Sequence, residues 1–161
     1  MPSHRTTHRH LAPSRGFSLV ELMVVLAILA IVVAIAVPSY ESSTASSRES
    51  SALNQVLGTL QFARSEAAAG ADKTVTSVSV CGSSDQSACD NDWPNGGIVL
   101  TNTGKVLRTL PAFKDVTIAG NAITFTRSGK RSGADNTITV QANGRAAKTI
   151  SVNVIGLAKI D

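Results

Sequence analysis

The chain has 161 residues, 43% of them hydrophobic and 16% charged, with a formal net charge of +4. That is room for one membrane-spanning helix and one small globular domain, and too little for a second core. The three histidines, His4, His8 and His10, all fall in the first ten residues. Beyond them no Ser-His or Cys-His pair and no imidazole metal site can be built, which argues against an enzyme, a bound metal or a cofactor. No phosphate loop is found either, since Gly129-Lys130-Arg131 lacks both the upstream glycine and the hydroxyl residue.

In chain order, a short basic leader carrying Arg5, Arg9 and Arg15 runs into Gly16-Phe17-Ser18-Leu19-Val20-Glu21, and an uncharged apolar run follows from Leu22 to Val37. As helix, residues 17 to 37 would extend about 31 Å, enough to cross the hydrocarbon of a bilayer. A secretory signal peptide is one reading, with Ala34-Ile35-Ala36 as a small-residue cleavage site. Glu21 speaks against it. A carboxylate inside an apolar segment costs about 2.5 to 3.5 kcal/mol near the centre of a membrane helix and less near its end. An acid retained in such a setting needs a partner.

The segment resembles the class III signal of type IV pilins and pseudopilins. The resemblance implies that a prepilin peptidase cuts after Gly16 and methylates Phe17, so that residues 1–16 are a leader and Glu21 becomes the fifth residue of the mature chain. It implies that Glu21 pairs with the amino terminus of a neighbouring subunit. It also implies a helix over residues 17–38 that is held in the bacterial inner membrane as a single pass, with the globular domain in the periplasm. That helix would later pack among other pilin subunits through Leu22, Val25, Leu29 and Val32. A proline at the place of Pro38 belongs to the same pattern, and there the helix should bend, because proline cannot donate to the carbonyl of Ala34.

Removing the leader takes three of the 15 basic residues, leaving 12 against 11 acidic ones. The remainder is uneven. Residues 41–104 hold three Lys or Arg against seven Asp or Glu, and residues 105–161 hold nine against three. The carboxy-terminal half is therefore a basic surface of the kind that can hold polyanions.

Ser39 to Ser51 is polar and serine-rich, which taken alone could be a linker. A pattern with no breaker follows, in which Leu53, Val56, Leu57, Leu60, Ala63 and Ala67 recur at three- and four-residue steps. Residues 39–70 are thus read as an amphipathic continuation of the helix, ending near Gly70, with this stripe as the face on which a sheet packs. Leu60-Gln61-Phe62-Ala63-Arg64-Ser65-Glu66-Ala67 resembles the H-type branch of the pseudopilins, the GspH/FimT family. Arg64 and Glu66 read as the solvated edge of the helix, with Arg64 tethering a nearby loop.

From residue 71 to 161 the period changes to two and β-branched residues dominate. Strands are predicted at Thr74–Val80, Gly97–Thr101, Lys105–Leu110, Val116–Ala119, Ala122–Thr126, Thr137–Gln141 and Lys148–Val154. Asn102-Thr103-Gly104, Gly120-Asn121, Ser128-Gly129 and Asn143-Gly144 mark turns between them. With no intervening helix, the pairing should be antiparallel. The predicted fold is α+β, a long amino-terminal helix packed on an antiparallel β-sheet or sandwich domain. In an exported chain, Cys81 and Cys89 read as a disulfide closing a polar loop. Trp93 just beyond reads as a lid on the core. Asp85, Asp90 and Asp92 share the loop, but their spacing fits no calcium loop.

Two functions compete. The resemblance implies a structural subunit of a type II secretion or type IV pilus machine, a minor pilin or pseudopilin that helps initiate or cap a filament. The alternative is a minor pilin that binds DNA during uptake. DNA-binding members of the branch carry Gly-Arg-x-Arg near the carboxy terminus, where this chain has Gly156-Leu157-Ala158-Lys159. The first arginine is lost, and lysine grips phosphate less well than arginine's planar fork. A diffuse set of Arg127, Lys130, Arg131, Arg145 and Lys148 could compensate, yet a solvated basic face is the favoured reading, and DNA is not the favoured partner.

Overall fold

The computed structural model of the chain describes residues 16–70 and 72–161; the basic part of the leader, with its histidines, lies outside them. The described chain opens with helix α1, Leu19–Ala69, followed by nine strands. These are β1 (Ser77–Gly82), β2 (Gly97–Thr101), β3 (Val106–Leu110), β4 (Val116–Ala119), β5 (Ile123–Thr126), β6 (Arg131–Ser132), β7 (Thr137–Ala142), β8 (Lys148–Val152) and β9 (Ala158–Ile160). Two compact units divide the chain, one ending at Ser39 and one spanning Tyr40–Asp161.

In the first unit the helix is apolar on every side, and Pro38 lies inside its span without ending it. In the second unit the serine-rich stretch is helical. Its hydroxyls turn back onto the helix, Thr44 donating to the Tyr40 carbonyl at 2.8 Å and Ser47 to the Ser43 carbonyl at 3.1 Å, so they do not compete for the backbone amides. The helix stops where Gly70 takes a left-handed φ of 56°, and Arg127 donates to the carbonyls of Gly70 and Asp72 just past it.

Two antiparallel sheets follow, one in the order β3-β2-β1-β5-β6 and one in the order β4-β7-β8-β9. Alternation does the sorting. Ile123 and Phe125 of β5, Ile138 and Val140 of β7, and Ile150 and Val152 of β8 point inward and are buried, while their neighbours are not. They meet Leu53, Val56, Leu60, Ala63 and Ala67 of the predicted helical stripe in one hydrophobic cluster that also takes in Val78 and Val80 of β1. Leu57 is only partly buried at the edge of that cluster.

Side chains that capture backbone amides set the strand ends. β1 starts three residues later than predicted, because the Asp72 carboxylate takes the Thr74 amide at 2.8 Å and the Asn102 side chain takes the Thr76 amide at 2.8 Å. It runs on through Cys81 and Gly82, which pair with Ile98 and Gly97. β8 ends two residues early, since Asn153 closes a turn by accepting the Leu157 amide at 2.9 Å. β6 and β9 were not predicted; at two and three residues they are too short for a period of two to register.

Cys81 and Cys89 are joined in a disulfide with a Cα separation of 5.7 Å. Closing so short a loop stabilises the fold by roughly 2 to 3 kcal/mol on the chain-entropy account. Trp93 is buried behind it and donates its indole N–H to the Gly120 carbonyl at 2.8 Å, tying the disulfide loop to the strand end of β4. A Cβ on Gly97 would lie 2.8 Å from that ring, so glycine opens the space that the lid fills.

Candidate functional site

The residues singled out for assembly lie at the start of α1. The Leu22 amide donates to the Ser18 carbonyl at 3.1 Å, closing the first turn and placing Glu21 inside it. Phe17, Leu22, Val25, Leu29 and Val32 are all exposed. A helix apolar all round buries itself in lipid or among other helices. Its length and composition suffice to cross a membrane. Carboxylates are favoured in the first turn by the helix dipole, which also explains how Glu21 can be carried at this end of the apolar run.

The basic residues separate into two groups. Arg127, Lys130 and Arg131 belong to the β5–β6 hairpin. There Arg127 holds the end of α1, while Arg131 donates to the carbonyls of Gly133 and Asp135. The turn is fastened to the helix by Arg64, whose Nε donates to the Gly129 carbonyl at 3.0 Å and whose Nη2 donates to the Ile155 carbonyl at 3.1 Å. The predicted tether is therefore present, and it holds two loops. Arg145 and Lys148, in contrast, meet Glu49, at 3.0 Å and 3.5 Å. Glu49 and Arg64 lie 15 residues apart on α1, about 22 Å at 1.5 Å per residue, so the five cations do not form one patch. Lys159 pairs with Asp161.

Glu49 is the residue that sequence reasoning missed. It is fully buried, yet it stands in the most polar stretch of the helix. Burial pushes its carboxyl up, and the Arg145 hydrogen bond, the charges of Lys148 and Arg145 and the Lys148 hydrogen bond together outweigh that, leaving it below the usual glutamate range.

In the disulfide loop, Asp85 and Asp90 serve as acceptors for the loop's own donors. The Ser87 hydroxyl, then the Ser87 and Ala88 amides, hold Asp85 down at about 2. The Ser84 hydroxyl and the Asp92 amide lower Asp90. Both folded-state values lie below those of the unfolded chain. Their stabilisation is therefore complete above about pH 4 and is lost as the pH falls through the folded values. Thermal melts should give a midpoint that drops between about pH 4 and pH 2, and the drop should be shallower for Asp85→Ala. Identical acid profiles for parent and variant would refute the capping role.

An exposed apolar helix with a carboxylate in its first turn, placed ahead of a helix-backed β unit with a disulfide loop, defines a pilin-like subunit. The family model described as type II transport protein GspH matches residues 52–156, and that for the prokaryotic N-terminal methylation motif matches residues 11–37. The chain belongs to the GspH family of type II transport proteins and carries the N-terminal methylation motif of pilin-like subunits. Two crystal forms of the type IV minor pilin FimU from Pseudomonas aeruginosa PAO1 share its fold. One matches at a TM-score of 0.52 and 22% identity over 70% of this chain and 91% of that one, the other at 0.52 and 21% over 75% and 90%.

Proposed function

We propose that the chain is a non-enzymatic minor subunit that helps initiate a pilus or pseudopilus or stands at its tip. Prepilin peptidase cleaves it between Gly16 and Phe17 and methylates Phe17. Until assembly the helix over residues 17–38 holds it in the inner membrane, with the β unit on the periplasmic side. The observation that carries this reading is Glu21, a carboxylate in the first turn of α1 that is followed as far as Val37 by apolar, exposed side chains. The cation that the cut would create at Phe17 of a neighbouring subunit supplies its partner. DNA capture is the weaker reading. Of the cations proposed for it, Arg127, Arg131, Arg145, Lys148 and Lys159 are already engaged with partners inside the chain.

Intact-mass analysis of membrane-purified protein should show loss of residues 1–16 and gain of one methyl group, and Gly16→Leu should abolish both. Glu21→Val should be processed and inserted as the parent is, yet be depleted from sheared filaments. Cleavage after Ala36, or normal incorporation of the Glu21→Val chain, would overturn the reading.

A further inference from the structure

The chain has two Asn-Gly pairs, Asn95-Gly96 and Asn143-Gly144, both in the unit Tyr40–Asp161. In such a pair the glycine amide nitrogen can attack the asparagine side-chain carbonyl and close a five-membered ring, and glycine leaves the approach open because it has no Cβ. Whether the attack occurs depends on what else holds that amide.

The two pairs differ in this respect. The Gly96 amide donates to the Trp93 carbonyl at 2.8 Å, and a Cβ on Gly96 would collide with the Leu110 carbonyl oxygen, so the residue is both bonded and packed against backbone. Asn143-Gly144 lies at the centre of the turn that the Arg145 amide closes by donating to the Ala142 carbonyl at 3.1 Å. There Gly144 takes a φ of 74°, and a Cβ built on it would have nothing within 4 Å. Both residues are exposed, and among the described residues neither the Gly144 amide nor the Asn143 side chain has a hydrogen-bond partner.

We propose that the chain modifies itself at Asn143-Gly144. The Gly144 nitrogen gives its proton to hydroxide and bonds to Asn143 Cγ. The bond from Cγ to the side-chain nitrogen breaks, and that nitrogen leaves as ammonia with a proton from water. Water then opens the cyclic imide at one of its two carbonyls. Breaking the new bond gives aspartate; breaking the original peptide bond gives isoaspartate, whose main chain runs through Cγ.

The site lies where either product alters the fold. Asn143 lines a groove of about 450 Å³ with Tyr40, Glu41, Thr44, Arg48 and Asp115, and in it Arg48 and Asp115 pair with each other. A new carboxylate at this position joins those of Glu41 and Asp115 around a single guanidinium, and crowded like charges destabilise the compact state. Isoaspartate also lengthens the main chain between the Asn143 amide, which donates to the Asp115 carbonyl at 3.2 Å, and Arg145, which holds Glu49. The aged subunit is therefore fastened to α1 more loosely than the newly made one.

The test uses the purified full-length chain in detergent, incubated in mildly alkaline or mildly acidic buffer and digested in mild acid for peptide mass analysis. The peptide holding Asn143 should exchange an amide for a hydroxyl group and resolve into two products of equal mass. Conversion should be faster in the alkaline buffer, because the attacking nitrogen must first lose its proton. The peptide holding Asn95 should convert about tenfold or more slowly, since local opening must precede attack, and should catch up once the chain is reduced and unfolded in urea. Asn143→Gln, which would have to close a larger ring, should stay intact. Asn143→Asp should lower the urea midpoint, and aged parent measured beside fresh parent gives the same comparison without a substitution. An intact Asn143 peptide after alkaline incubation, or equal rates at the two pairs in the folded chain, would overturn the modification. Equal midpoints for fresh and aged protein would overturn its effect on the fold.

Discussion

Replacing Glu49 by alanine should destabilise the unit Tyr40–Asp161 by about 3 kcal/mol, the low end for removing one partner of a buried ion pair. Glu49 has no exposed surface, while the side chains of Arg145 and Lys148 are 32% and 42% exposed, so the two cations can recover water once the carboxylate has gone. That recovery places the cost at the low end. The cost is still well above the roughly 0 to 1 kcal/mol of a surface pair, because the carboxylate fastens the helix to the β7–β8 hairpin from inside the fold. The urea midpoint should fall with no change in slope, and the melting temperature by roughly 10 °C. A loss below about 1 kcal/mol would show that Glu49 is a surface group in solution. Its pH behaviour has a definite sign. The folded carboxyl sits below the ordinary range, so the contribution is complete above that range and disappears only in acid.

Why Glu49 escaped sequence reasoning is plain from its surroundings. Arg48 and Glu49 stand among serines, and nothing local marks one of them as buried; Arg145, which donates to Glu49 Oε2, lies 96 residues away. Local patterns were readable where the physics is local. The stripe from Leu53 to Ala67, the stop at Gly70 and the alternation in β5, β7 and β8 all depend on residues within a few positions of one another. So does the apolar run with its single carboxylate. The grouping of Arg127, Lys130 and Arg131 with Arg145 and Lys148 rested on nearness in sequence, and the antiparallel topology undoes it, carrying the β5–β6 and β7–β8 hairpins to different levels of α1. Arg64 was legible as a tether because it stands on a helix edge, but its second anchor, the Ile155 carbonyl, required knowing that the β8–β9 turn folds back beside Gly129.

Gly156→Ala should cost about 3 kcal/mol, and the matched change Gly104→Ala only about 1 kcal/mol. Both glycines take left-handed backbone angles, φ 82° and φ 85°, so the conformational penalty is common to the two. They differ in what a methyl group would meet. At Gly104 nothing lies within 4 Å, whereas at Gly156 the new carbon would collide with the Gly129 carbonyl oxygen and come within 2.9 Å of Arg64 Nε. The bond between those two groups is the one that fastens the β5–β6 hairpin to α1, so relief of the clash has to loosen it. Urea unfolding of the two variants gives the difference directly, and equal costs would mean that the close approach does not persist in solution. The comparison bears on function as well. Gly156 is the one glycine shared with the Gly-Arg-x-Arg pattern of DNA-binding relatives, and here the packing of Gly129 and Arg64 accounts for it. What remains of that pattern is Lys159, which already pairs with Asp161. Leu157, standing where an arginine would be, instead extends the exposed apolar turn. A surface that exchanges a cation for leucine while keeping its backbone rigid is better suited to burying a protein face than to gripping phosphate.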